Sequence, residues 1–172
     1  NLLFGSGLTA AGTGIVLNDE MDDFSVAIGR PNAFGLVDTR GANAVAGGKR
    51  PLSSMTPTLV LRDGAVRMVT GSPGGPRIIS TTLLTILHVL DYGMDVSEAV
   101  SAPRVHHQWV PDELQVERAI PADVLDGLRR RGHRVVVSER NWSSAQAIAI
   151  DPETGWHLGG SDPRSDGLAA GW

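Results

Sequence analysis

The sequence contains no cysteine among its 172 residues. This absence excludes disulfide bonds, thiolate metal sites and a cysteine nucleophile, and it leaves the redox compartment open. No apolar run approaches the roughly 18 to 20 residues that span a bilayer, and the first residues do not form a basic-then-apolar export signal. The formal net charge of -4 is mild, so the composition gives no support to nucleic acid or an anionic membrane as a partner.

What is present is the composition of a globular protein. Hydrophobic residues make up 41% of the chain and charged residues 20%, which excludes an intrinsically disordered protein. A chain of 172 residues is long enough for one hydrophobic core, so we predict a single domain over residues 1–172. Because the first residue is Asn1 rather than methionine, we expect a processed chain or a fragment.

The first third of the chain has little periodicity, whereas the rest alternates strands and helices. Residues 1–56 are rich in glycine, which predicts loops with one or two short strands. Two β-rich runs flank Asp63-Gly64, a dipeptide typical of a tight hairpin turn. Residues 76–93 are mostly apolar and predict a buried helix of about four turns, with Pro76 in its first turn and Gly93 at its end.

Residues 94–161 predict further short elements. "DVSEAVSAP" indicates a short helix, and "IPADVLDGLRRRGH" indicates an amphipathic helix with Val124, Leu125 and Leu128 facing inward. "ELQVERA", "RVVVSE", "AQAIAID" and "WHLGGS" indicate strands. Paired strands with helices between them favour an α+β fold, in which helices pack on a mixed or antiparallel sheet.

The stretch "TGSPGGPRI", residues 70–78, admits a functional and an ordinary interpretation. It is neither a phosphate loop nor a dinucleotide fingerprint, since Pro76 and Arg77 follow the glycines. Gly74 and Gly75 would let a ligand approach the main chain closely, and a helix start would direct N–H groups at a carboxylate or an oxyanion. The alternative is a simple turn between a strand and a helix.

Two polar clusters precede this stretch. "NDEMDDF" holds Asp19, Glu20, Asp22 and Asp23, which could bind a metal or an ammonium group, or could form a solvated acidic loop. "KRPLSSM" holds Ser53 and Ser54, whose hydroxyls could donate to an anion or cap a turn.

Two later motifs are interpreted as structural. His106 and His107 in "RVHHQW" are neighbours in an extended segment, so they would point to opposite faces and make poor joint ligands of one metal. "SDPRSDG" indicates an Asp-Pro turn with an arginine that ties down the end of the chain.

Taken together and in order, the motifs "FGSG", "GTGIVLNDEMDDF", "KRPLSSMTPT", "TGSPGGPRI", "DYGMDVSEAVSAPRVHHQW" and "SDPRSDG" resemble the small subunit of the γ-glutamyltranspeptidase family over practically the whole chain. The resemblance implies the four-layer αββα sandwich of N-terminal-nucleophile hydrolases and a proenzyme that cleaves itself. The new N-terminal threonine then attacks a γ-glutamyl amide such as that of glutathione, and the γ-glutamyl group passes to water or to an acceptor amino acid or peptide. No cofactor and no metal are expected.

The resemblance also implies roles for individual residues. Gly74 and Gly75 would form the oxyanion hole, and Ser53 and Ser54 would bind the substrate α-carboxylate. Three residues would hold the α-ammonium group: Asn1, Glu20 and Asp23.

The family pattern also contains parts that this chain does not show. The threonine of the family precedes the position that Asn1 matches, and the large subunit supplies an arginine. We therefore expect that the isolated chain is inactive and that the large subunit of the same proenzyme is its partner. The family further implies a periplasmic or extracellular location.

Other functions remain open from the sequence. A glutaryl or cephalosporin acylase and a poly-γ-glutamate transpeptidase belong to the same superfamily, but a glutaryl group has no ammonium for Asp23 and Glu20 to hold. A different class of function is a non-catalytic binding fragment, in which a homodimer could hide an uncovered sheet edge and apolar surface.

Overall fold

The computed structural model describes residues 4–171, and its chain falls into two compact units. Unit 1 comprises Asn1–Ser54 and unit 2 comprises Met55–Trp172. Whether the two units act as the single domain expected from chain length stays a prediction. In the described residues, no helix is long and apolar enough to cross a membrane.

Unit 1 is built from turns. In residues 4–54 its one regular element is the 3-10 helix Glu20–Asp23, and three isolated bridges join its loops at Thr9↔Val16, Ser25↔Ala44 and Pro31↔Val37. The prediction of one or two strands here is wrong for residues 4–54, where the structure has only these bridges. Glycines explain the difference, because backbone with positive φ, as at Gly12 (76°) and Gly14 (68°), turns the chain before a strand can extend.

Unit 2 holds the helices and strands. They are β1 Thr58–Arg62, β2 Ala65–Gly71, α1 Arg77–Leu90, α2 Val96–Ser101, β3 Val105–His106, β4 Leu114–Val116, α3 Ala122–Arg130, β5 Val135–Val137, β6 Gln146–Ile150 and β7 His157–Ser161. Every helix and strand predicted from residue 58 onward is present, with ends shifted by a few residues. The α+β class is therefore confirmed.

Two sheets organise these strands. The larger is antiparallel with the order β1-β2-β6-β7, and the smaller is mixed with the order β3-β4-β5. The predicted hairpin between β1 and β2 is confirmed: Asp63 and Gly64 have φ of 53° and 78°, as a tight hairpin turn requires. The parallel pair β4 and β5 is joined through α3, the usual crossover for parallel strands.

The core lies between one face of the larger sheet and the helices α1 and α2. Met68, Ala147 and Ala149 project from the sheet, and Val96 and Val100 from α2. A Cβ added at Gly160 in β7 would lie 2.8 Å from Val96, so a glycine is needed for α2 to approach the sheet this closely. Ile86 and Val89 of α1 also pack against this cluster, and the glycine pair lies between β2 and the start of α1.

Two expectations about the helices need correction. α1 is not buried all round, since Ile79 and Leu83 are 51% and 53% exposed while Thr81 and Thr85 are buried. Thr85 can be buried because its hydroxyl donates to the Thr81 carbonyl 2.9 Å away. Val124 of α3 is 45% exposed rather than inward, because α3 contacts unit 2 through Leu125, Gly127 and Leu128.

Candidate active site

The glycine pair occupies the connection between β2 and α1. Gly74 has φ of 140° and Gly75 has φ of 58°, conformations that side-chain-bearing residues rarely adopt. Pro73 and Pro76 on either side have no backbone N–H. The two glycines therefore supply the only donors of this four-residue turn.

These two donors are unused within the described part of the chain. The carbonyls of Gly74 and Gly75 accept from the N–H groups of Arg77 (3.2 Å) and Ile78 (3.1 Å), which begin α1. By contrast, neither glycine N–H donates to any atom among residues 4–171. Adjacent free N–H groups at the positive end of a helix suit an anion or a developing oxyanion. The functional interpretation of "TGSPGGPRI" requires such donors, and their role stays a prediction.

The segment that leads into β6 supports this turn. The Ser144 N–H donates to the Ser72 hydroxyl (3.1 Å), and Ser143 lies directly against Gly74, where a Cβ added to the glycine would overlap its hydroxyl. Arg77 at the helix start donates to Gln115 (2.7 Å), and its guanidinium lies 5.2 Å from the centre of the Trp142 ring. These contacts fix the position of the glycine pair.

The acidic run in unit 1 forms the 3-10 helix and is only partly solvated. Asp19 and Asp23 are each 8% exposed, so the interpretation as a solvated loop is wrong for these two residues. Burial raises the pKa of the Asp23 carboxyl from 3.8 to about 6, and two effects of Glu20 act in the same direction: protonated Asp23 can donate to the Glu20 carboxylate, and the negative charge of Glu20 disfavours ionised Asp23. A buried carboxylate of this kind gains most from a cationic ligand, because such a ligand replaces the lost water.

A metal is the other ligand that this run could bind. Among residues 4–171, no group of three or more histidine, aspartate or glutamate side chains is arranged to hold a metal ion. The arrangement of the acidic turn therefore gives metal binding no support beyond the sequence pattern.

The remaining predicted substrate-binding residues also lie in unit 1. Ser53 is exposed and Ser54 is half-buried, and both follow Leu52 in a segment that is neither helix nor strand. Asn1 lies outside the described residues. Asp23 and Ser53 belong to the same unit, and the asparagine Asn43 contacts both of their segments. The sequence gives no indication of these contacts, because Asn43 stands within the glycine-rich residues 1–56, which predict loops.

The two motifs interpreted as structural are confirmed. His106 is buried between Ser80 (2.8 Å) and Gln108 (2.9 Å), and burial lowers its pKa. His107 contacts Asp112 instead, 3.1 Å away.

"SDPRSDG" ties the chain to a buried ion-pair network. Arg164 donates to Asp162 (3.0 Å) and Glu117 (2.6 Å), and Asp162 also pairs with the buried Arg104. The network holds the segment after β7 against the rest of unit 2.

Comparison with known proteins identifies the family of the chain. The family model described as gamma-glutamyltranspeptidase matches residues 1–172. The "Glutathione hydrolase proenzyme" of Escherichia coli (strain K12) is 51% identical over 173 residues, which is 100% of this chain and 29% of the relative. The chain thus spans under a third of the length of that curated relative.

Solved structures are similar as well. The T380A mutant of Helicobacter pylori gamma-glutamyltranspeptidase is 49% identical with a TM-score of 0.86, covering 96% of this chain and 89% of that one. The cephalosporin acylase of Bacillus halodurans is 29% identical with a TM-score of 0.79, covering 98% of this chain and 30% of that one. The family-model match over the whole chain and the 51% identity to the Escherichia coli relative lead to one assignment: this chain belongs to the γ-glutamyltranspeptidase family.

Proposed function

We propose that the enzyme to which this chain belongs cleaves γ-glutamyl amides, such as glutathione, and transfers the γ-glutamyl group to water or to an amino acid or peptide. The observation that carries the proposal is the pair of unused N–H groups at Gly74 and Gly75. Acyl transfer passes through a tetrahedral intermediate with a negative oxygen, and two fixed N–H donors lower its energy. Both donors are held by the start of α1 and do not need to reorganise.

The nucleophile in this proposal is a threonine from a part of the proenzyme outside these 172 residues. Its hydroxyl oxygen attacks the γ-carbonyl carbon, the C–N bond breaks, and the amine leaves with a proton. Water or an acceptor amine then releases the acyl group from the threonine ester. The chain's 29% share of its Escherichia coli relative supports a partner subunit from the same proenzyme. We further propose a periplasmic or extracellular location, as the resemblance implies.

The glutamyl group would be recognised as a zwitterion. Ser53 and Ser54 would donate hydroxyl hydrogen bonds to the α-carboxylate, and Asp23 with Glu20 and Asn1 would bind the α-ammonium group. The burial of Asp23 supports this assignment, since a desolvated carboxylate attracts a cation more strongly than a solvated one. The same acids disfavour a glutaryl substrate, which has no ammonium group.

Exchange of Gly74 tests the role of the donor pair in the mature full-length enzyme. A Cβ in Gly74→Ala would overlap the Ser143 hydroxyl, and the φ of 140° is strained for alanine. The N–H must then move, so we expect kcat for a γ-glutamyl anilide to fall about 100- to 1,000-fold with a small change in KM.

Gly93→Ala is the matched control. Gly93 lies just beyond the other end of α1 with φ of 67° and has no atom within 4 Å of an added Cβ. This exchange should cost about 1 kcal/mol of stability and leave kcat unchanged. An equal fall of kcat in both variants would show that a disturbed α1, rather than the N–H pair, causes the loss of activity. Normal turnover by Gly74→Ala would refute the proposal.

A further inference from the structure

We propose that Asn43 is a positioning residue that sets the spacing between the ammonium-binding and carboxylate-binding halves of the glutamyl site. The inference rests on the proposed function, because the two halves are the proposed roles of Asp23 and of Ser53 with Ser54. All of the contacts that carry it lie within unit 1.

The Asn43 side chain bonds to both halves at once. Its Nδ2 donates to the Asp23 backbone carbonyl (2.6 Å), and its Oδ1 accepts from the backbone N–H of Leu52 (2.9 Å). Leu52 directly precedes Ser53. One planar amide group therefore joins the acidic turn to the serine segment, although these are almost thirty positions apart in the sequence.

The backbone of Asn43 is itself fixed. Its N–H donates to Asp38 Oδ2 (2.7 Å), and its carbonyl accepts from the Ser25 N–H (2.9 Å). The Lys49 ammonium group donates to the carbonyls of Ala42 (2.7 Å) and Ala44 (2.9 Å), on either side of Asn43. The backbone on both sides of the Asn43 amide is thus held by hydrogen bonds. The amide can therefore fix the distance between the acidic turn and the serine segment.

Only an amide of this length makes both contacts. A carbonyl oxygen needs a donor and an N–H needs an acceptor, so the side chain must present one of each. Aspartate would keep the acceptor for Leu52 but would place a carboxylate oxygen against the Asp23 carbonyl. Asn43→Asp therefore breaks the connection with almost no change in shape.

Asn32 provides the matched control. Its Nδ2 also donates to the Asp23 carbonyl (3.0 Å), but its Oδ1 accepts from the N–H groups of Phe34 and Leu36 instead of from the serine segment. Asn32→Asp loses the same kind of bond to Asp23 while leaving the Asn43 connection intact.

The test uses four anilide substrates with the mature full-length enzyme: γ-glutamyl, glutaryl (no ammonium), 4-aminobutanoyl (no carboxylate) and butanoyl (neither). Their kcat/KM values form a thermodynamic cycle, which measures the coupling between the ammonium and carboxylate groups, that is, how much the presence of one group increases the gain in kcat/KM from the other. We expect Asn43→Asp to reduce this coupling about tenfold and to change the butanoyl rate little. Asn32→Asp should preserve the coupling, and Asn43→Gln, which lengthens the same amide, should reduce it if Asn43→Asp does not mature.

Every outcome of this test either supports or overturns the role of Asn43. A uniform fall for all four substrates, or an equal loss of coupling in Asn32→Asp, would show a merely structural role and overturn the inference. Unchanged coupling in Asn43→Asp or Asn43→Gln would overturn it as well. A wild-type enzyme that prefers none of the charged substrates over butanoyl would instead refute the proposed function, and the inference with it.

Discussion

The raised pKa of Asp23 leads to a specific pH dependence of substrate selection. The carboxyl is 8% exposed, and burial together with Glu20 raises its pKa to about 6. In the proposed function Asp23 binds the substrate ammonium group, and only the ionised carboxylate attracts this group, which itself titrates near pH 8 or above. With a pKa of about 6, roughly 90% of Asp23 is ionised at pH 7 and roughly 10% at pH 5. We therefore expect γ-glutamyl selection to fall about tenfold over this range.

The assay is the ratio of kcat/KM for γ-glutamyl and glutaryl anilides between pH 4.5 and 8. Any group that takes part in the chemistry of both substrates cancels in the ratio, so the ratio reports on ammonium binding. In Asp23→Ala, the KM for the γ-glutamyl anilide should rise much more than the KM for the glutaryl anilide, and the ratio should no longer depend on pH. A flat wild-type ratio from pH 5 to 7, or equal effects of Asp23→Ala on both substrates, would refute the reasoning.

The raised pKa of Asp23 also affects the stability of the protein, and here a higher pH is unfavourable, whereas it favours γ-glutamyl selection. Because folding raises the pKa of Asp23 from 3.8 to about 6, the native state binds more protons than the unfolded state between these values. Stability therefore falls as the pH rises through this interval, by up to about 3 kcal/mol above pH 6. Asp23→Asn should make the enzyme more stable at pH 7.5 while it weakens γ-glutamyl binding, as chemical unfolding would show. A loss of stability at that pH would contradict the assigned cause.

Two further predictions concern unit 2. Asp162→Ala leaves Arg104, which is 2% exposed, without its carboxylate partner. We therefore expect the free energy of unfolding, measured with urea, to fall by about 3–5 kcal/mol. A fall below about 1 kcal/mol, which is typical of a surface pair, would contradict the buried network. Gly160→Ala places a Cβ 2.8 Å from Val96 and should cost about 1–3 kcal/mol, measured as a lower Tm. Gly47→Ala, where nothing lies within 4 Å of the added Cβ, is the control, and an equal Tm change in both variants would argue against the close contact.

Local sequence signals were sufficient where neighbouring residues determine the structure. Asp63-Gly64 specifies the hairpin turn because both residues adopt positive φ. Alternating and periodic apolar residues likewise identify the strands and helices of unit 2. The glycine pair between two prolines is also a local signal, because proline removes the neighbouring N–H donors and glycine permits the φ values of the turn.

Burial and long-range pairing could not be obtained in this way. The acidic run has the composition of a solvated loop, yet Asp19 and Asp23 are buried, since burial depends on what other segments cover. Ile79 and Leu83 show the reverse case, apolar residues whose exposure the helical pattern does not reveal. Asn43 gives no sequence signal of its connecting role because both of its partners are distant in sequence.

The sequence by itself therefore determined the family, the α+β class, the turn and helix signals, and the identity of the candidate site residues. Only the tertiary structure decided which N–H groups have no partner among residues 4–171, which carboxylates lose water, and which asparagine joins the acidic turn to the segment of Ser53 and Ser54. The physical reason is that φ preferences and periodicity act between neighbours along the chain, whereas desolvation and hydrogen-bond partnership depend on segments that folding brings together.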